Sequence, residues 1–243
     1  MRTQDAKKNH KGDKQSANIS LLQPVIDDRV YVAQHISPAN AKNYRCFSTV
    51  GLFEYHALCD DFGPMNMSCV VRFITLLDEE MSSFPNSKIA YCSEHGRRAL
   101  ANSVFLLGSY LVVKRGQSAE EVSRVFAWVD LAWAEPFRDA TFAEPDFELS
   151  LQDCWRALER GRALGWIRMP VPSAPGFWGM MDVDEYDHYD DPLNGDLHIV
   201  VPGTEHVTIN VRGSGCVIGP RPCREICCLQ RAARAGPGQG VHG

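Results

Sequence analysis

The sequence KIAYCSEHGRRALANSVFLLGSYLVV, residues 88–113, contains the pattern that decides the fold. Lys88–Cys92 is a short apolar run typical of a buried strand, and Arg97–Val113 is a longer apolar run with the length of a helix. The second run is followed by two basic residues and Gly116, which is how helices commonly end. The stretch therefore predicts a strand that leads through a short loop, Ser93–Gly96, into a helix.

Alternating strands and helices are predicted on both sides of this unit. They are strands Val30–Ala33 and Tyr44–Thr49, and helices beginning near Pro64, Ser118 and Ser150. Ser118 and Ser150 are each followed three positions later by an acidic residue, which is a capping box. Alternation of this kind indicates a layered α/β fold.

The composition is that of a globular protein. The chain has 243 residues, of which 44% are hydrophobic and 23% charged, and this excludes collagen, coiled coil and wholesale disorder. The longest nearly apolar run, Val104–Val113, is too short to span a bilayer, which takes about 20 residues. We therefore expect no membrane partner.

The cysteines and the N-terminus indicate a reducing compartment. Met1–Ile19 is polar and carries lysines without the apolar segment of a secretory signal. The nine cysteines are an odd number, and those of the main body are scattered singly. We expect an intracellular protein of the nucleus or cytoplasm. The close set Cys223, Cys227 and Cys228 lacks a second pair at zinc-site spacing, so no metal or other cofactor is expected.

The charge is unevenly distributed along the chain. Its formal value is −5, yet both ends are basic, so the body between them is strongly acidic. An acidic body repels nucleic-acid phosphates and attracts cationic ligands, and we therefore expect no nucleic-acid partner. The basic head is either a solvated disordered extension or a nuclear-import or anion-binding tail.

The loop after the predicted strand at Lys88 contains a candidate nucleophile. Five residues separate Cys92 from Arg98, as in cysteine-dependent phosphatases, where a thiolate attacks phosphorus and the arginine holds the phosphate oxygens. Glu94 opposes this chemistry, because a carboxylate about 4 Å from a phosphate oxygen costs roughly 4 kcal/mol. Tyr91 and Ala99 stand where such loops usually have a histidine and a hydroxyl. We predict no catalytic residue, with Cys92 and Arg98 as the remaining candidates.

Four stretches follow one another within residues 28–202: Asp61–Met67, Cys92–Leu106, Glu135–Ala140 and Asp182–Asp196. Together they resemble the N-terminal domain and interdomain linker of the cell-division-cycle 14 family of dual-specificity phosphatases. The resemblance implies an α/β fold with a phosphatase-like central sheet flanked by helices, and we expect disordered termini. It also implies two domains in tandem, of which the second carries the catalytic cysteine loop.

The sequence resembles only the first of those domains and the linker. The active loop His-Cys-x-x-Gly-x-Gly-Arg-Thr has no counterpart in it, so we expect the catalytic domain to be missing from this chain. The expected division is a basic disordered extension (1–25), the N-terminal-like domain (26–168), a Pro/Gly-rich and acidic linker (169–202) and a divergent, disordered tail (203–243).

The resemblance implies the substrate-recognition and scaffold half of a dual-specificity (Ser/Thr/Tyr) protein phosphatase of the cell cycle, inactive alone. A second, catalytic phosphatase domain would be its partner if a full-length form exists. Two alternatives stay open: a stand-alone phosphoprotein-binding module, and a weakly active phosphatase that uses Cys92 and Arg98.

The acidic linker is the candidate substrate-binding segment. If Asp182–Asp191 is helical, carboxylates cluster on one face and suit a basic side chain. The resemblance implies phosphoprotein ligands with phosphoserine-proline sites followed by lysine or arginine, and Asp187, Asp190 and Asp196 stand where the family's linker acids stand. The alternatives are a solvated acidic linker and a metal site formed by His188 with Asp184 and Asp191.

Two other segments carry weaker signals. Arg138 and Asp139, within Pro136–Asp139, are predicted to form an ion pair or cap that fixes a turn, in preference to contacting a ligand. Pro170–Gly179 is predicted as a loop, in which the aromatic pair Phe177 and Trp178 is either an exposed docking patch or the product of a misread splice site.

Overall fold

The computed structural model describes residues 20–53, 55, 57, 60–140, 144–194, 197–201, 205–208 and 217–219. Its strands are β1 Leu21–Ile26, β2 Val30–Gln34, β3 Arg45–Phe47, β4 Ile89–Cys92, β5 Phe137–Arg138, β6 Glu148–Leu149, β7 Phe177–Trp178, β8 Met181–Asp182, β9 Leu197–Val201, β10 Glu205–Thr208 and β11 Val217–Gly219. Its α-helices are α1 Pro38–Ala41, α2 Met67–Ser83, α3 Arg97–Val113, α4 Ala119–Val125, α5 Leu151–Ala163 and α6 Val183–Asp190. The α/β fold class is confirmed.

The main sheet has the strand order β1-β2-β4-β3. Strands β2 and β3 pair with β4 in parallel, whereas β1 is an antiparallel edge strand. Asp27 and Asp28, between β1 and β2, have φ angles of 45° and 53°, which tight hairpin turns require and aspartate tolerates. Parallel strands need helical crossovers, so the predicted alternation of strands and helices produces this sheet.

Strand β1 corrects the expected domain division. Leu21–Ile26 pairs with β2, and Leu21, Val25 and Ile26 are buried in the core. The prediction of a disordered extension is therefore wrong for residues 21–25. Pro24 obscures the strand in the sequence, but an edge strand accommodates a proline because one side of its backbone has no partner strand. Residues 1–19 lie outside the described part of the chain.

Helix α3 has the predicted bounds and is buried on nearly every side. It packs against α2, α4 and α5, and one hydrophobic core joins these helices to the main sheet. Gly108 allows the close approach of α5: a Cβ atom there would lie 2.3 Å from Cε2 of Trp155. The indole Nε1 of Trp155 donates a hydrogen bond to the carbonyl of Phe105 at 3.3 Å. The core thus depends on a glycine in the middle of its central helix.

The two predicted capping boxes are confirmed. In each of them the serine hydroxyl accepts a hydrogen bond from the backbone N–H three residues later, and the acidic side chain there accepts from the serine N–H. These boxes begin α4 at Ser118 and α5 at Ser150, so the serines that the sequence identifies set the start of both helices.

Beyond α5 the chain forms small elements that lead to the linker helix. Strands β7 and β8 form a hairpin that begins in the predicted loop and ends just after it. Trp178 is buried and Phe177 exposed, so the aromatic pair does not form a single exposed patch. Strands β9, β10 and β11 form an antiparallel sheet. The rest of the predicted disordered tail lies outside the described residues. Within the described part, no helix is both long and apolar enough to cross a bilayer.

Candidate functional site

The turn between β4 and α3 is held by the end of β2. The backbone N–H of Ser93 donates to the carbonyl of Ala33 at 2.8 Å, which extends the parallel pairing by one residue. The buried amide Nε2 of Gln34 donates to the carbonyls of Glu94 at 2.6 Å and Gly96 at 3.0 Å. Two carbonyl groups of the turn therefore accept from one protein side chain, which fixes the direction of both.

Cys92 is half-buried at the end of β4, and its thiol donates to the carbonyl of Ala90 at 3.6 Å. Burial and the neighbouring Cys46 raise the pKa of the Cys92 thiol to about 12. The reactive form of cysteine is the thiolate, and catalytic cysteines have pKa values of roughly 3.5 to 7.5. The environment of Cys92 therefore keeps it protonated, which is the opposite of activation.

Arg98, at the first turn of α3, is bound by two carboxylates. Its Nε donates to Oε1 of Glu135 at 2.9 Å, and its Nη2 donates to Oδ1 of Asp60 at 3.1 Å. The second carboxylate oxygen of Asp60 accepts from Nη1 of Arg138 at 2.9 Å, so the predicted ion pair of Arg138 is present. An incoming phosphate would have to displace acidic side chains from Arg98 before binding it.

The turn opens onto a cavity of about 440 Å³. Cys92 and Arg98 both line this cavity, so the structure brings the two sequence candidates together. Two acidic side chains, Asp61 and Glu94, line it as well. The phenol of Tyr55 donates to Asp61 at 2.6 Å, and burial followed by this hydrogen bond raises the Tyr55 pKa above its usual range. The acidic lining disfavours an anionic substrate, as Glu94 alone predicts from the sequence.

Helix α6, the predicted acidic linker helix, lies against the N-terminal part of α2. Asp187 forms an ion pair with Nη2 of Arg72, and Oδ2 of Asp190 accepts from Nδ2 of Asn66 at 2.8 Å. Burial raises the pKa of Tyr186 to about 12, and burial followed by the charge of Asp187 raises that of Cys69. Two of the three predicted substrate-binding acids thus contact α2 within the chain.

The other acidic residues of the linker have different positions. Asp182 caps α6, since its carboxylate accepts from the backbone N–H groups of Asp184 and Glu185 at 3.1 and 3.2 Å. Asp184 and Asp191 are exposed, whereas Asp187 faces Arg72. Asp196, the third predicted acid, lies outside the described residues. Among the described residues, no group of three or more histidine, cysteine, aspartate or glutamate side chains is arranged to hold a metal ion.

Several residues that organise the site were not predicted from the sequence. They are Gln34, Asp60, Asn66, Arg72 and Glu135. One signal was available for Arg72, since it is the only basic residue in the seventeen-residue sequence of α2. Asn66 is a helix-capping residue type just before α2, but nothing in the sequence links it to Asp190. Gln34, Asp60 and Glu135 have no local signal, because each acts on a residue distant in sequence.

Comparison with known proteins identifies the relatives of the chain. Residues 24–161 match the family model described as the N-terminal half of dual specificity protein phosphatase. The chain is 31% identical over 180 residues to dual specificity protein phosphatase CDC14C of Symphalangus syndactylus, an alignment that covers 73% of this chain and 35% of that protein. It is 31% identical over 179 residues to dual specificity protein phosphatase CDC14A of Homo sapiens, an alignment that covers 72% of this chain and 29% of that protein. It is 26% identical over 181 residues to tyrosine-protein phosphatase CDC14 of Saccharomyces cerevisiae, and this alignment covers 72% of this chain and 30% of that protein. The chain spans about a third of the length of these relatives.

Proposed function

Because the chain belongs to the cell-division-cycle 14 family of dual specificity protein phosphatases, we propose that it acts as the substrate-recognition and scaffold half of such an enzyme. The resemblance predicted from the sequence is confirmed, and the matched region is the N-terminal one. The observation that carries the proposal is the position of α6, an acidic helix packed against the phosphatase-like domain through α2. A segment that recognises a ligand must be held in a defined place, and the contacts of α6 with α2 hold it in one.

The β4–α3 turn supports a role other than catalysis for this domain. Cys92 is protonated, Arg98 is bound by Glu135 and Asp60, and Glu94 lines the same cavity. Each of these features weakens a step that a cysteine-dependent phosphatase needs, namely thiolate formation, phosphate binding and charge neutralisation. The domain would therefore present a ligand and would not hydrolyse it.

The ligand that suits α6 is a phosphoprotein segment with a basic residue after a phosphoserine-proline site. Residues 182–191 contain six carboxylates and no lysine or arginine, which favours a cationic side chain. Asp187 and Asp190 would contact that side chain, and Asp196 completes the acids that the family resemblance implies. The phosphoryl group would go to a catalytic site of the family type and not to Cys92.

A peptide titration tests the proposal. A peptide with the order phosphoserine, proline, any residue, lysine is titrated against the chain and against the double variant Asp187→Asn with Asp190→Asn. We expect the variant to bind about tenfold or more weakly, since each lost charge contact contributes about 1 kcal/mol or more. The same peptide with alanine in place of lysine should bind both proteins equally.

A matched control removes the same charge elsewhere. Glu144 and Asp146 are exposed and precede α5, so Glu144→Gln with Asp146→Asn changes the net charge equally without touching α6. This control should bind the lysine peptide as the unmodified chain does. Equal affinities of the unmodified chain and the α6 variant would refute the recognition role.

A further inference from the structure

Arg72 is placed to compete with a ligand for Asp187. Its guanidinium forms the ion pair with Asp187, while its Nε donates to Oγ of Ser68 at 3.1 Å on the preceding turn of α2. The serine orients the guanidinium toward α6. The acid assigned to a basic ligand therefore already has a basic side chain of the same domain next to it.

The ion pair is exposed enough to be exchanged. The side chains of Arg72 and Asp187 keep 56% and 29% of their exposure, so water reaches both partners. Exposed ion pairs are weak, because solvent screens them and two side chains must be ordered to form them. A lysine or arginine from outside can therefore approach Asp187 and replace Arg72 without removing a charge from a dry interior.

A second contact would hold the helix while this exchange occurs. Asn66 is the N-cap of α2, where its Oδ1 accepts from the N–H of Cys69 at 2.9 Å. Its Nδ2 donates to Asp190 at 2.8 Å, so one side chain joins the start of α2 to the end of α6. Release of Arg72 from Asp187 leaves this contact in place.

We propose that Arg72 is an internal competitor that occupies Asp187 in place of the basic side chain of a ligand and so sets the affinity threshold for recognition. The proposal rests on the proposed function, since it requires Asp187 to bind the ligand. Ligands with a correctly placed cation displace Arg72, and ligands without one leave the internal pair intact. Arg72 thus acts on specificity and takes no part in catalysis.

The test compares Arg72→Gln with the unmodified chain in the same lysine-peptide titration. Removal of the competitor should tighten binding by up to about fivefold, the range that an exposed ion pair allows. Arg72→Lys, which retains the charge, should remain closer to the unmodified chain. As a matched control, Arg156→Gln removes an exposed arginine that pairs with Glu120 on α4, and it should leave the affinity unchanged.

The alkylation rate of Cys69 provides the second measurement. The thiol is half-buried, and Asp187 and Asp190 lie close enough to influence its pKa, so it reports whether α6 stays against α2. Arg72 lowers the pKa of Cys69, so its removal with α6 still in place should leave the alkylation rate equal or slower in Arg72→Gln, never faster. Weaker binding together with faster alkylation would make Arg72 a docking residue and overturn the proposal.

The outcomes separate this proposal from the proposed function. If the double variant of Asp187 and Asp190 binds weakly but Arg72→Gln does not bind more tightly, only the competitor role fails. If the double variant binds as the unmodified chain does, recognition by α6 fails, and the competitor role fails with it.

Discussion

The Cys92 thiol should be among the least reactive in the chain. Because burial and Cys46 raise the pKa of the thiol to about 12, its thiolate fraction at pH 7 is far below the ~3% of an ordinary cysteine. Alkylation by iodoacetamide should therefore be slower than that of a free thiol by about two orders of magnitude or more, before any steric protection.

Quantitative mass spectrometry of the peptide that contains Cys92 measures this rate between pH 7 and pH 10. The rate should rise about tenfold per pH unit over the whole range, because the thiolate fraction does so below the pKa. A free thiol in the same tube is the control, and its rate should level off near pH 9. In parallel, Cys92→Ser should leave any hydrolysis of a small aryl phosphate unchanged.

Two results would refute this reasoning. A Cys92 rate that levels off below pH 8 would mean that the thiolate is stabilised at the turn, contrary to its burial beside Cys46. Aryl phosphatase activity that disappears in Cys92→Ser would show that Cys92 and Arg98 do form a working site. Either result would favour the weakly active phosphatase over the recognition domain.

Two further predictions concern the fold. Gly108→Ala should lower the free energy of unfolding by about 1–3 kcal/mol, because its Cβ would collide with Trp155. Gly161→Ala, whose Cβ would have its nearest contact at 3.4 Å, should be neutral or stabilising. Urea titrations measure both, and equal effects would contradict the packing argument. Burial lowers the pKa of His35 below 6.5, and so does His95, whose Nδ1 lies 2.7 Å from the Nδ1 of His35. The unfolded chain therefore binds more protons at this residue than the folded chain does. The free energy of unfolding should decline as the pH falls below about 6.5. Between pH 7.5 and 5.5 the free energy of unfolding should fall less in His35→Gln than in the unmodified chain. Equal falls would exclude the His35–His95 pair as a source of acid sensitivity.

The site was predicted only in part, and the residues show why. The sequence identified Cys92 and Arg98 as neighbours because the loop between them is short, and the structure places both on one cavity. It also identified Glu94 as an obstacle to phosphate. The carboxylates on Arg98 come from Asp60 and Glu135, each 37 or more positions away, and no spacing rule links them.

The linker shows the same limit. The acidic composition predicted a cationic partner, and the structure places Arg72 of the same chain beside Asp187, 115 positions away. Neither residue has a pattern that predicts the other. Whether a ligand replaces Arg72 is the question that the titrations address.

The amino-acid order by itself determined helices α2, α3, α4 and α5 and the parallel strands of the main sheet. Helical periodicity and capping boxes depend on residues three or four positions apart, so α3, α4 and α5 are encoded locally. Only the folded chain decided that β1 joins the sheet, that Arg98 is bound by carboxylates and that α6 packs on α2. Those outcomes depend on which distant side chains meet once the core forms, and that is a property of packing in three dimensions.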